Sequence, residues 1–165
     1  MVFVLPLVSC SKILQIHSPF FTIIGKTTTI RILSGELDLD GGHVTYKFSD
    51  GTYNIGECNM DQVRGKIGVC PQHNMLLGDL TCRETLHLFA SLKGNISIKA
   101  GQKKHEAIEA EVQRLITQLQ FTSAGDVDKP VKTFSGGMMR KVSIAIALIG
   151  DPEVVFLDEP TAGLV

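Results

Sequence analysis

The run Val154-Val155-Phe156-Leu157 constrains this chain more than any other segment. Four apolar residues stand in a row between Pro152 and Asp158, with no polar alternation. A strand with one wet face alternates polar and apolar residues. A strand without a polar position is covered on both faces, as in parallel sheets flanked by helices. Helical patterns fill the preceding sequence. Thr27–Ser34 reads as a helix opening on Gly25-Lys26, and Thr81 with Glu84 forms a capping box for a helix over Cys82–Lys93, stopped by Gly94. Residues 103–120 place Ile108, Val112, Leu115, Ile116 and Leu119 on one face. Ser135 caps a further helix whose buried side carries Met138, Val142, Ala145, Ile146 and Ile149. Strand periodicity over His43–Phe48, a turn at Asp50-Gly51 and a return strand over Thr52–Ile55 predict a hairpin. Lys66–Cys70 is a short strand, mostly buried. The expected class is α/β, with a parallel sheet, an antiparallel hairpin and a helical insertion in the middle.

Composition narrows the function. With 165 residues there is room for one domain. Sixteen basic and 17 acidic residues leave a net charge of −1, against the basic excess of a dedicated nucleic-acid binder. Cys10, Cys58, Cys70 and Cys82 have neither zinc-finger nor Cys-x-x-Cys spacing and read as reduced thiols. Residues 1–24 differ from the rest: they carry one charge, Lys12. Pro6 and the lack of a basic start argue against a signal peptide, and Lys12, His17 and Pro19 break a membrane span. The expectation is that residues 1–24 are foreign to the domain that begins at Gly25.

Four short motifs carry chemistry. Gly25-Lys26-Thr27-Thr28 opens a helix, whose free N–H groups and positive dipole end suit a polyphosphate. Lys26 can reach the β- and γ-phosphates, and the Thr27 hydroxyl can ligate Mg²⁺. Asp158-Glu159 ends the buried strand, where α/β sheets bind ligands. Asp158 suits Mg²⁺, and Glu159 suits a general base that polarises water. Ser135-Gly136-Gly137 lets backbone N–H groups approach an anion closely. Gln72 follows Pro71 in a loop after a strand. Singly, each has a plain structural account: a solvated helix start, a capped turn, an ordinary N-cap, an exposed glutamine.

Their order and spacing are collectively specific. Lys26, Gln72, Ser135 and Asp158 follow one another at intervals of 46, 63 and 23 residues. The chain closely resembles the nucleotide-binding domain of an ABC transporter. Gly25–Thr28 resembles the end of Walker A, Cys70–His73 the Q-loop, Phe134–Lys141 the signature motif, Val154–Glu159 Walker B, and Pro160–Leu164 the approach to the D-loop. The wording GVCPQHNMLLGDLT, FSGGMMRKVSIAIALIGDP and FLDEPTAGL resembles subfamily A, whose members mostly move lipids. The resemblance covers residues 25–164.

The resemblance implies a P-loop NTPase, RecA-like fold, incomplete here, with residues 79–133 as an inserted helical subdomain presenting the signature. It implies ATP and Mg²⁺ as cofactors. Gly25, Lys26, Thr27, Thr28, Gln72, Ser135, Gly136 and Gly137 would bind nucleotide; Thr27, Gln72 and Asp158 would serve the metal; Glu159 would be catalytic. It implies a second such domain closing head to tail, transmembrane domains moving a lipid, no nucleic-acid partner, and a place on the cytosolic face of a membrane. Alone, the chain is expected to be soluble and cytoplasmic. Long coiled-coil repair ATPases and GTPases fit less well: residues 79–133 are too short for a coiled-coil arm, and no Asn-Lys-x-Asp base-reading motif occurs.

Departures from the family pattern are local. Two of the three Walker A glycines are replaced, by Phe20 and Ile23. A β-branched residue resists the positive φ and close backbone approach of a phosphate loop. The D-loop is expected to continue with Asp-Pro after Leu164, where the sequence has Val165. The last strand is expected to leave an apolar sheet edge. With both joins abrupt, the alternative to an active ATPase is a catalytically dead interaction fragment, from a splice variant or incomplete gene model.

Overall fold

A computed structural model describes residues 25–38, 40–58, 60–121 and 124–158. The elements run α1 (Lys26–Leu33), β1 (Thr45–Phe48), β2 (Gly51–Asn54), α2 (Met60–Arg64), β3 (Ile67–Cys70), α3 (Cys82–Lys93), α4 (Lys104–Leu119), α5 (Gly136–Ala147) and β4 (Val154–Leu157). Two 3₁₀ turns, Ala124–Asp128 and Val131–Thr133, lead from α4 into α5.

The strand that lacks a polar face is buried as expected. β4 pairs parallel with β3, Ile67 opposite Val154 and Cys70 opposite Leu157. Val154, Val155 and Phe156 are buried, and Leu157 is half-buried. Alternation sends Val154 and Phe156 to one face, where Tyr46 and Phe48 of the hairpin, Val63 of α2 and Ile30 and Leu33 of α1 pack against them. Val155 and Leu157 turn to the other face, against Ala147, Ile144 and Leu148. The two-stranded sheet is thus a middle layer, with β4 bonded on one side only among the described residues.

α5 is buried on two sides, where the sequence indicates one apolar face. Val142, Ala145 and Ile149 join α3 and α4 in the largest core, with Met138, Met139 and Ile146 packed around it. Ile144 and Ala147 press on the sheet. Met139 is therefore a partly buried core neighbour. Phe134, preceding the cap, is buried edge-on to Phe121, ring centroids 5.5 Å apart.

The hairpin forms with a shifted turn. Phe48 pairs with Gly51, so Ser49-Asp50 is the loop and Gly51 begins β2. Contacts distant in sequence hold it there. Glu153 accepts from Ser49 N–H at 2.8 Å and from its hydroxyl at 3.0 Å, and Lys66 Nζ lies 2.6 Å from Asp50. The Thr81–Glu84 capping box is present in both directions, and Gly94 ends α3 with φ 69°. Cys58, Cys70 and Cys82 are free thiols. Cys10, like the rest of residues 1–24, lies outside the described residues.

Candidate functional site

The site assembles at the N-terminus of α1 and the C-terminal ends of β3 and β4. Gly25 caps α1 with φ 97°, a left-handed conformation that side-chain-bearing residues rarely adopt. Its carbonyl accepts from Thr29 N–H at 2.7 Å, closing the first helical turn. The amides of residues 26–28 precede the first intrahelical donor, and among the described residues they have no partner outside the helix. No acidic residue occupies the first turn. The dipole's positive end is therefore faced by no carboxylate of α1 itself, and the anion nearest to it comes from the end of β4.

Thr27 and Asp158 meet here from 131 residues apart. The Thr27 hydroxyl donates to Asp158 Oδ2 at 2.8 Å. Asp158 is 4% exposed, whereas Thr27 and Thr28 face solvent. Asp158 N–H continues the parallel ladder by bonding Cys70 carbonyl at 2.9 Å. Burial pushes the Cys70 thiol above its usual range, with Arg140 opposing the shift.

Gln72 sits two residues beyond β3, exposed, in the loop that carries Asn74. Ser135 caps α5, its hydroxyl accepting from Met138 N–H at 3.2 Å; Ser135 and Gly136 are exposed, and α5 also has no acid in its first turn. The structure brings Thr27 and Asp158 into contact and places Ser135-Gly136-Gly137 at a separate helix end. Glu159, Phe20 and Ile23 lie outside the described residues.

Arg140 is the residue that motif reading passed over. It is 1% exposed. Its guanidinium donates to Pro71 carbonyl at 2.5 Å, Gln72 carbonyl at 3.3 Å and Asp158 carbonyl at 2.6 Å. Arg140, Ser143, Ile144 and Ala147 repeat at helical spacing, a signal for a second buried stripe.

These residues fit a magnesium-bound polyphosphate. The Thr27 hydroxyl and Asp158 carboxylate are hard oxygen donors within contact of each other. Among the described residues no atom lies within 4 Å of where a Cβ would project from Gly25, leaving open space beside the first amides of α1. Three layers of α/β structure with a helix N-terminus beside a strand-end carboxylate define a P-loop nucleotide-binding fold.

The comparisons agree. The ABC transporter family profile matches residues 24–162, and the chain belongs to that family. It is 39% identical over 140 residues to ABC transporter A family member 9 of Arabidopsis thaliana, covering 85% of this chain and 13% of that protein. Against ATP-binding cassette sub-family A member 10 of Homo sapiens it is 39% identical over 141 residues, covering 85% and 8%. The chain thus spans a small part of these relatives' length. A dimeric post-hydrolysis ATP-binding cassette, MJ0796, bound to ADP and Pi, shares the fold at TM-score 0.65 and 22% identity, over 84% of this chain and 57% of that one. Among the described residues no helix is long and apolar enough to cross a membrane.

Proposed function

We propose that this chain is the ATP-binding and ATP-hydrolysing module of a sub-family A transporter, coupling hydrolysis to lipid movement through transmembrane domains. The observation that carries the reading is the Thr27–Asp158 hydrogen bond, formed at a helix N-terminus. The lipid rests on the subfamily resemblance. Lys26 and the amides of residues 25–28 hold the phosphates. Thr27, Gln72 and Asp158 hold the Mg²⁺, which when bound neutralises phosphate charge. Glu159 takes the proton of the attacking water. Ser135, Gly136 and Gly137 lie on an exposed helix end and bind the nucleotide of a second cassette arranged head to tail. Residues 79–133 form the helical subdomain, and the working place is the cytosolic face of a membrane.

A second reading, a catalytically dead interaction fragment, is favoured by Phe20 and Ile23 at two Walker A glycine positions. Phosphate release from MgATP separates the two. The first reading expects hydrolysis that rises more steeply than linearly with protein concentration and falls about 100-fold or more in Glu159→Gln. Binding of MgATP without any phosphate release establishes the second. A Glu159→Gln rate equal to wild type removes the role given to Glu159.

A further inference from the structure

We propose that Arg140 is a positioning residue for the nucleotide site: it fixes the backbone of Gln72 and Asp158 in one frame, so that both side chains serve one magnesium ion. This rests on the ATP-binding reading above.

β3 and β4 run in parallel and part company at their C-terminal ends, at Cys70 and Leu157. The next residues, Pro71-Gln72 and Asp158, leave the sheet with carbonyls that the ladder no longer uses. A guanidinium is planar and presents five donors in a fixed fork, so one side chain can hold several acceptors at set angles. Arg140 does this, reaching the carbonyls of Pro71, Gln72 and Asp158. The charge is nearly inaccessible to water. A buried cation is tolerated where hydrogen bonds replace its hydration, and these three carbonyls do so. One turn further along α5, the Ser143 hydroxyl donates to Asn74 Oδ1 at 2.9 Å. The same helix face therefore holds the Gln72 loop at three points and Asp158 at one.

A lysine at this position keeps the charge but not the fork. Its single ammonium cannot span three carbonyls at these distances. Amide N–H groups and a guanidinium are both donors, so the amides at the start of α1 are set by the Gly25 turn and not by Arg140. Loosening the frame is therefore expected to affect what magnesium adds to ATP affinity, leaving metal-free affinity alone.

The test uses the full chain and a fluorescent ATP analogue, titrated with Mg²⁺ and with EDTA. Melting temperature and circular dichroism monitor folding. Arg140→Lys is expected to cut the magnesium-dependent gain in affinity about tenfold, the scale of one hydrogen bond, with the EDTA value within about twofold of wild type. Ser143→Ala, which releases Asn74 without touching the buried charge, is expected to cut the gain about threefold. If Arg140→Lys does not fold, Ser143→Ala decides by the same criterion. An unchanged magnesium gain in the deciding variant overturns the proposal. So does a parallel loss with and without magnesium, the mark of a merely structural residue. A wild-type chain that binds no ATP overturns the underlying reading itself, and is distinguished because it fails before any variant is compared.

Discussion

Gly68 lies in β3 where the sheet meets the end of α5, and replacing it by alanine is expected to be costly. A Cβ there would stand 2.0 Å from the Ala147 carbonyl oxygen, 3.0 Å from its carbon and 3.2 Å from Pro152 Cγ. The neighbour that must move is backbone. Ala147 is the last residue of α5, and the Leu148 N–H is bonded to the carbonyls of Ile144 and Ala145, both at 3.1 Å. Relief requires β3 and α5 to separate by roughly 1 Å, which forfeits much of the dispersion contact between them. Overpacked cores usually lose 1–3 kcal/mol; with backbone as the obstacle the expectation is about 3 kcal/mol. For a urea m-value of about 2 kcal/mol/M, the unfolding midpoint falls by roughly 1.5 M. Gly65→Ala is the control, since its Cβ would meet nothing closer than 3.7 Å. Equilibrium urea unfolding followed by circular dichroism reads both. A Gly68→Ala midpoint within about 0.3 M of wild type would refute the packing argument.

Three further outcomes follow from the same geometry. Burial holds the Lys93 ammonium down to about 8, with Glu111 opposing the shift, while its Nζ bonds the Ile149 carbonyl at 2.8 Å. Between about pH 8 and 10.5 the unfolded chain binds more protons at this lysine than the folded one, so its contribution to stability rises with pH across that window. Wild type is expected to gain up to roughly 3 kcal/mol relative to Lys93→Met over it, and a flat difference in urea unfolding contradicts this. Burial also pushes the Cys82 thiol up to about 11 and the Cys70 thiol upward, while Cys58 is only half-buried. An alkylating reagent at pH 8 followed by peptide mapping is therefore expected to label Cys58 well before Cys70 or Cys82; equal labelling speaks against the described packing. Thr81→Ala removes the hydroxyl that accepts from Glu84 N–H at 3.1 Å and should lower stability by about 1 kcal/mol, with no change in urea midpoint counting against the cap.

Local signals carried well from sequence to structure because they are self-contained. The Thr81–Glu84 box and Gly94 set the ends of α3, and the apolar run 154–157 demanded a buried strand. Gly25 followed by a helix is likewise a local pattern, and its φ of 97° is what only glycine takes readily. The hairpin turn was less legible. Asp50-Gly51 is the better turn dipeptide, yet Glu153 and Lys66 hold Ser49-Asp50 in the loop from distant parts of the chain. Arg140 was hidden for another reason. A charged residue breaks a hydrophobic pattern, so reading α5 by its apolar positions found the stripe facing the helices and lost the one facing the sheet. Its partners are backbone carbonyls, which no side-chain motif announces. The resemblance implied a metal role for Thr27 and Asp158 separately, and their contact became visible only once β4 and α1 were in place. The roles of Glu159, Phe20 and Ile23 stay on the sequence level, since these residues lie outside the described ones.

Equilibrium binding of a fluorescent ATP analogue to the full chain, with and without Mg²⁺ and beside Lys26→Ala, tests the central claim most directly. A phosphate site built on the start of α1 and the Thr27–Asp158 pair predicts binding that magnesium strengthens and Lys26→Ala abolishes. No binding, or binding indifferent to both magnesium and Lys26, would contradict it and leave the chain an interaction fragment.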